Sequence, residues 1–257
     1  VSEHPAYGVL RPVTATASVL LCDNPNIMTL DGTNTWVLRG HGSAEMVIVD
    51  PGPDDDEHIG RLAELGKIPL VLLSHKHEDH TGGIDTIVEL TGAVVRSVGS
   101  GFLRGLGGPL TDGEVIDAAG LRITVMATPG HTADSLSFLV DDAVLTADTV
   151  LGRGTTVIDD EDGSLTQYLD SLRRLHGLGR RTVLPGHGPD LDDLEAVTAL
   201  YLAHREERLE QVRQAVRALG DDATARQVVE HVYTDVDEKL WDAAEKSVRA
   251  QLDYLRS

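Results

Sequence analysis

Three histidines and an aspartate, His75, His77, Asp79 and His80, fall within six residues of one another. They directly follow the apolar run Leu70-Val71-Leu72-Leu73, which reads as a buried strand, and they precede Thr81-Gly82-Gly83. Such residues fill a core poorly and hold a metal ion well. In extended backbone, residues two apart point to the same side, so His75 and His77 can reach one ion together. Asp79 and His80 come where the chain turns and can face a second ion nearby, with Gly82-Gly83 allowing the sharp bend. Imidazole nitrogen and carboxylate oxygen suit zinc, and manganese or iron less selectively. The competing reading, a solvated polar loop with accidental histidines, does not account for three more residues further along the chain. His131 stands on the turn Thr128-Pro129-Gly130-His131 after an apolar strand and is placed to complete the ligands of the first ion. Asp148 closes another strand and is the carboxylate best placed to bridge two ions. His187, in Pro185-Gly186-His187-Gly188, repeats the strand, Pro-Gly, histidine pattern. Each signal is weak alone, since turn aspartates and packed histidines are common; the repetition gives them weight.

The elements that must position these residues alternate between strands and helices, which predicts an α/β fold. Strands are expected at 13–22, 35–38, 46–49, 70–73, 94–98, 114–117, 121–127, 135–140, 143–146 and 181–184. Helices are expected at about 55–66, 84–91 and 164–177. Asp50, at the end of the third strand, is expected to brace the metal loop from outside rather than to bind an ion. The glycine-rich stretch 99–111 is either the border of a substrate cleft or a surface connection. Asn34, Thr155 and Thr156 sit on loops beside strand ends and are candidates to line the substrate cleft.

From residue 191 the pattern changes to helices at about 192–218, 223–232 and 238–255. In the last two, Val228, Val229, Val232, Leu240, Trp241, Val248, Leu252 and Leu255 recur at helical spacing. The chain therefore divides into a catalytic domain, 1–190, and a helical extension, 191–257, of winged-helix-like arrangement. Packing of this tail as a cap is favoured over nucleic-acid reading, because acidic residues abound in it. The tail also leaves room for a homodimer.

With 257 residues, 41% of them hydrophobic, the chain can bury one large core and an appendage. Its net charge of −20 opposes non-specific attraction to nucleic acid or anionic membrane. No apolar run approaches the roughly 20 residues of a spanning helix. The single cysteine, Cys22, leaves no intramolecular disulfide, and the first residues carry no secretion signal, so a cytoplasmic location is expected. His4, His41, His58, His176, His204 and His231 carry no expected role.

In this order, His75-x-His77-x-Asp79-His80, His131, Asp148 and His187, with Asp50 upstream, resemble the metallo-β-lactamase fold superfamily. The resemblance implies a four-layer αββα sandwich. It also implies His75, His77 and His131 on one ion, Asp79, His80 and His187 on a second, and Asp148 bridging. Two Zn²⁺ per chain are the expectation, with Mn²⁺ or Fe²⁺ as substitutes. Asn24-Pro25, the run from Thr29 to Trp36, Leu151-Gly152-x-Gly154-Thr155-Thr156-Val157 and Tyr201-Leu202-x-His204-Arg205 look like the β-lactamase-like protein 2 group. Its animal members are endoribonucleases acting on single-stranded RNA, and bacterial relatives include glyoxalase II-like enzymes. The best-known β-lactamase subclass places a cysteine on the second ion where this chain has Asp148, which speaks against β-lactam hydrolysis as the main task.

The expected activity is hydrolysis by a metal-bound hydroxide, oriented by Asp79, which would also accept its proton. Single-stranded RNA is the first expected substrate. A glyoxalase II-like thioesterase, or another ester or lactam hydrolase, is the alternative. A binding protein with a vestigial metal site is the reading from another class.

Overall fold

Hydrophobic runs along the strands alternate between two destinations, and that alternation builds the layers. In a computed structural model, residues 7–159, 161–234, 237–238 and 241–256 are described; His4 and Leu240 lie outside them. The first sheet has six strands in sequence order: β1 (Arg11–Pro12), β2 (Ala17–Leu21), β3 (Asn34–Leu38), β4 (Glu45–Val49), β5 (Lys67–Leu72) and β6 (Val94–Arg96). The second has five: β7 (Val115–Ala118), β8 (Leu121–Ala127), β9 (Leu136–Val140), β10 (Ala143–Ala147) and β11 (Thr182–Pro185), ordered β11-β10-β9-β8-β7. Val19, Trp36, Leu38, Val47, Val49 and Leu72 of the first sheet meet Ile123, Val125, Phe138, Val140, Leu145 and Leu184 of the second in one central core. The intervening residues face outward onto helices. Leu20, Val37, Ile48 and Val71 pack with Ile59 and Leu62 of α1 (Asp56–Glu64) and Ile84 and Ile87 of α3 (Ile84–Thr91). Met126, Val144 and Val183 pack with α4 (Leu165–His176) and the start of α5 (Leu194–Leu219). Both faces of each sheet are thus covered, which is why the inner strands read as nearly unbroken apolar runs. The result is the expected αββα order.

The structure corrects one part of the sequence reading and narrows another that the sequence leaves open. The strand expected over 13–22 is confined to Ala17–Leu21. Thr14 Oγ1 accepts from the amides of Thr16 at 3.2 Å and Ala17 at 3.0 Å, and this hydroxyl turn bends the chain before pairing can begin. The stretch 99–111 lies along β6: Val95 and Arg104 exchange amide-to-carbonyl bonds, and Phe102 packs on the helix-side core. It covers the edge of the sheet, protecting unpaired backbone groups.

β4, β5 and β6 are parallel, as are β10 and β11. Asp50 follows β4, the His75–His80 loop follows β5, His131 follows β8, Asp148 follows β10 and His187 follows β11. The short helix α2 (Glu78–Thr81) carries Asp79 and His80.

Beyond residue 193, α5 joins two cores. Leu194, Tyr201 and Leu209 pack on the second sheet's helix layer, whereas Val212 and Ala215 join a separate cluster with Val228, Val229, Val248 and Leu252. The latter come from α6 (Ala225–Val232), opened by a Thr224–Gln227 capping box, and α7 (Trp241–Arg256). Among the described residues no helix is long and apolar enough to cross a membrane.

His58, given no role by sequence, is a core histidine. It is 4% exposed on α1, and its Nε2 lies 2.8 Å from Thr35 Oγ1. Burial, with Arg61 adding to it against Asp55, pushes its pKa down to about 4. The unfolded chain therefore binds this proton more readily than the folded one. Stability contributed by neutral His58 is complete above about pH 6.5 and is lost progressively down to about pH 4, by up to about 3 kcal/mol. His58→Gln should flatten this part of the acid side of the melting-temperature profile; a profile identical to that of the parent would refute the assignment.

Candidate metal centre

The strand-end loops bring all seven proposed ligands together in two groups. His75 Nε2 and His131 Nε2 each lie 3.0 Å from His77 Nδ1. His80 Nε2 is 3.2 Å from His187 Nε2, which is 3.1 Å from Asp79 Oδ2. Asp148 stands between the groups: Oδ1 is 3.5 Å from His80 Nε2, and Oδ2 is 3.4 Å from His187 Nε2 and 3.7 Å from His131 Nε2. Nitrogens bound tetrahedrally to one ion at about 2.05 Å stand about 3.3 Å apart, close to what is seen.

Each buried imidazole is fixed through its other nitrogen, as metal-binding histidines require. Asp50 is the centre of this support. Its Oδ1 accepts from the Ser74 amide at 2.8 Å, and its Oδ2 accepts from Ser74 Oγ at 2.6 Å and from His80 Nδ1 at 2.9 Å. Because Ser74 gives its only hydroxyl hydrogen to Asp50, it accepts from His75 Nδ1 at 2.9 Å. His131 Nδ1 donates to Val157 O at 2.6 Å and His187 Nδ1 to Gly32 O at 3.0 Å. All four rings thus turn Nε2 toward the centre, whereas His77 turns Nδ1. Asp50 and Ala147 take left-handed φ values of 56° and 44°, conformations costly to non-glycine residues, at the turns that deliver Asp50 and Asp148.

Two features test whether this set fits metal. Asp148 Oδ1 is buried without a hydrogen-bond partner among the described residues, an arrangement that is costly unless a cation compensates it. The electrostatics agree: burial would push His80 and His187 down, but Asp148 and Asp79 draw both up. Burial would likewise raise the Asp148 carboxyl, yet His187 and His80 hold it well below the ordinary range. The carboxylates demand positive charge at their centre, and the residues fit divalent cations. Asp50→Asn is expected to place a donor against Ser74 or His80 and to lower metal affinity about 10- to 100-fold with the fold retained; titration with a competing chelator measures it, and unchanged affinity would refute it.

Residues 28–187 match the Metallo-beta-lactamase superfamily. The chain belongs to that superfamily. Residues 224–257 match a beta-lactamase associated winged helix domain, so the helical tail of this superfamily member is of that kind. It is 31% identical to a "Beta-lactamase-like protein 2 homolog" of Drosophila melanogaster, over 96% of this chain and 89% of that protein. It is also 31% identical to an "Atrochrysone carboxyl ACP thioesterase" of Aspergillus fumigatus, over 91% of this chain and 77% of that one. A beta-lactamase domain protein from Burkholderia ambifaria shares the fold with a TM-score of 0.83, covering 99% of this chain and 90% of that one at 21% identity. The related proteins include a named thioesterase, and the chain is a metallo-β-lactamase-superfamily hydrolase.

Of the three residues expected along the substrate cleft of this metallo-β-lactamase-superfamily chain, two are engaged with backbone. Asn34 is buried, and its amide donates to Pro185 O at 3.0 Å and Gly188 O at 2.8 Å, clasping the turn that carries His187. Thr156 is buried and donates to Asp148 O at 2.7 Å. These bonds hold the turns that carry His187 and Asp148; polar side chains on loops near strand ends are readily claimed by neighbouring carbonyls. Thr155 alone of the three is exposed. Sequence reasoning missed Ser74, which links His75 to Asp50, and Lys76. Lys76 reaches Asp159 at 3.1 Å, Asp162 at 3.1 Å and Glu161 at 3.3 Å, tying the loop after Val157 to the metal loop. Only the long-range pairing reveals either.

Proposed function

We propose that the chain is a dinuclear hydrolase that cleaves phosphodiester bonds in single-stranded RNA, with two divalent cations, zinc in the first place. The observation that carries the hydrolase reading is the pair of converging candidate ligand groups, His75/His77/His131 and Asp79/His80/His187, joined by Asp148, whose Oδ1 has no hydrogen-bond partner among the described residues. Bound at these residues, the cations would supply Lewis acidity toward a phosphoryl or carbonyl oxygen and bring the pKa of water toward neutrality.

The chain's own groups do the rest. Asp79 and His77, with side chains 28% and 33% exposed, are the open side of an otherwise buried cluster, which sets the direction of substrate approach. Burial would raise Asp79, but His80 and His187 hold its carboxyl at about 2, so it is ionised at neutral pH. An ionised carboxylate at the open face can accept the proton of an attacking water and orient its lone pair. RNA as the substrate rests on the resemblance to the β-lactamase-like protein 2 group, whose animal members act on single-stranded RNA; a homolog so named is 31% identical to this chain. The thioesterase name of the Aspergillus fumigatus relative supports a second reading, hydrolysis of a thioester.

The test is metal content of the purified chain, measured together with a panel of single-stranded RNA, a simple phosphodiester, an acyl thioester and a β-lactam. About two zinc ions per chain and chelator-sensitive cleavage of RNA are expected. Cleavage of the thioester alone would replace the RNA reading by the second one. No bound metal, and no cleavage after zinc or manganese is added, would overturn both and leave a binding protein.

A further inference from the structure

A cavity of about 280 Å³ lies where the winged-helix tail meets the catalytic domain, and no step at the metal centre uses it. Its walls are the loop at Ile27 and Met28, the segment Thr155–Val157, α5 at His204, Arg205 and Arg208, the end of α6 at Tyr233, and α7 at Gln251. Positions 244, 247 and 251 of α7 face it at helical spacing.

Three observations say that it is built for a ligand. Arg205 is 3% exposed, and its guanidinium donates through Nη2 to Thr156 O and stacks over Tyr168, 5.0 Å from the ring centre; its Nε has no partner among the described residues. Gln251 is 1% exposed, and its Oε1 has no partner among them either. A buried donor and a buried acceptor without partners, on two side chains that line one cavity, are costly unless something else meets them. Second, no carboxylate among the described residues lines the cavity, although the chain carries a net charge of −20. Neither Arg205 nor Arg208 has an ion-pair partner among the described residues; Arg208 instead donates to Gln211 at 2.8 Å and lies over Tyr233. Burial first, and then Arg205 and Arg208, depress the pKa of His204, consistent with a positive field here. Third, part of the wall is apolar: Val157, Tyr233, Ala244 and the exposed side chains of Ile27 and Met28. The cavity thus offers guanidinium donors for an anion, an amide acceptor for one N–H, and an apolar stretch of wall.

We propose that this cavity binds a nucleotide unit, with its phosphate on Arg205 and Arg208, its base against the apolar wall and a base N–H at Gln251. Arginine forks match phosphate oxygens, and bases tolerate any apolar or aromatic platform. Thr155–Val157 is a wall of the cavity, and the same segment serves the metal centre: Val157 O accepts from His131 Nδ1, and the Thr156 hydroxyl donates to Asp148 O. A nucleotide here would therefore be a non-reacting part of a substrate whose scissile bond lies at the metals. That last step rests on the hydrolase reading; the binding itself does not.

The test is calorimetric titration of the full, metal-containing chain with AMP and with adenosine, together with photolabelling by 8-azido-AMP. AMP is expected to bind more tightly than adenosine and to label peptides containing Met28 or Tyr233. Arg208→Gln and Gln251→Leu should each weaken AMP about ten-fold or more, with helix content unchanged. These two are chosen because Arg205 also holds Thr156, and its loss could disturb the fold. A single-stranded oligoribonucleotide that binds more tightly than AMP would support RNA as the source of the nucleotide; tighter binding of coenzyme A would support a coenzyme A thioester. Absence of AMP binding, labelling confined to the metal loop, or parent-like affinity in both variants would overturn the proposal. AMP binding without any hydrolysis in the panel would refute the hydrolase reading alone; hydrolysis without AMP binding would refute the cavity alone.

Discussion

Asp79→Ala is expected to lower turnover by about 10²- to 10⁴-fold, the range that a positioned acid–base group contributes. The side chain stands at the open face of the cluster, 3.1 Å from His187 Nε2, and makes no hydrogen bond to backbone among the described residues. The fold should survive, which circular dichroism would show. Metal content should fall as well, because the group Asp79/His80/His187 loses a third of its donors. Asp79→Asn separates the two effects: it keeps a ligand oxygen but accepts no proton, so it should recover metal better than activity. Turnover of the alanine variant within a few-fold of the parent, at equal metal content, would remove Asp79 from the mechanism.

Gly186→Ala should disable the site without touching a single ligand. Its backbone is not in the left-handed region, so alanine suits the local conformation. A β-carbon there would stand 2.3 Å from Asp148 Oδ1 and 2.9 Å from His80 Cε1. Such contacts cannot persist, so Asp148 or the His187 turn must move, and a displacement of about 1 Å at a catalytic group costs about 100-fold. Loss of metal together with at least that loss of turnover is expected, at near-parent helix and strand content. Full metal occupancy and full activity would contradict the placement of Asp148. Gly130 has the opposite constraint. Its φ is 135°, and an added β-carbon would meet the Tyr168 backbone at 2.3 Å, so the turn that delivers His131 lies directly on α4.

Local sequence carried the candidate metal residues and the order of strands and helices, while the αββα layers were what the family resemblance implied. Hydrophobic periodicity placed nearly every strand and helix, because strands covered on both faces and amphipathic helices leave patterns that local sequence carries. The candidate ligand residues were legible for a related reason: His, Asp and Gly at strand ends are poor core material, and their recurrence at His75–His80, His131, Asp148 and His187 has no simple packing explanation. Asp50 was also read correctly as a brace. Only the tertiary structure decided what depends on contacts across many residues of chain. It showed that Asn34 and Thr156 hold the His187 and Asp148 turns, that Ser74 links His75 to Asp50, and that 99–111 covers a sheet edge. It also brought Arg205 and Gln251, distant from the metal motifs in sequence, into one cavity with Thr155–Val157. A polar side chain in a loop has several hydrogen-bonding fates of similar free energy, and local sequence does not choose among them. The partner that closes the choice arrives from another strand end or from the tail, and it is set by how the two sheets and the helices pack.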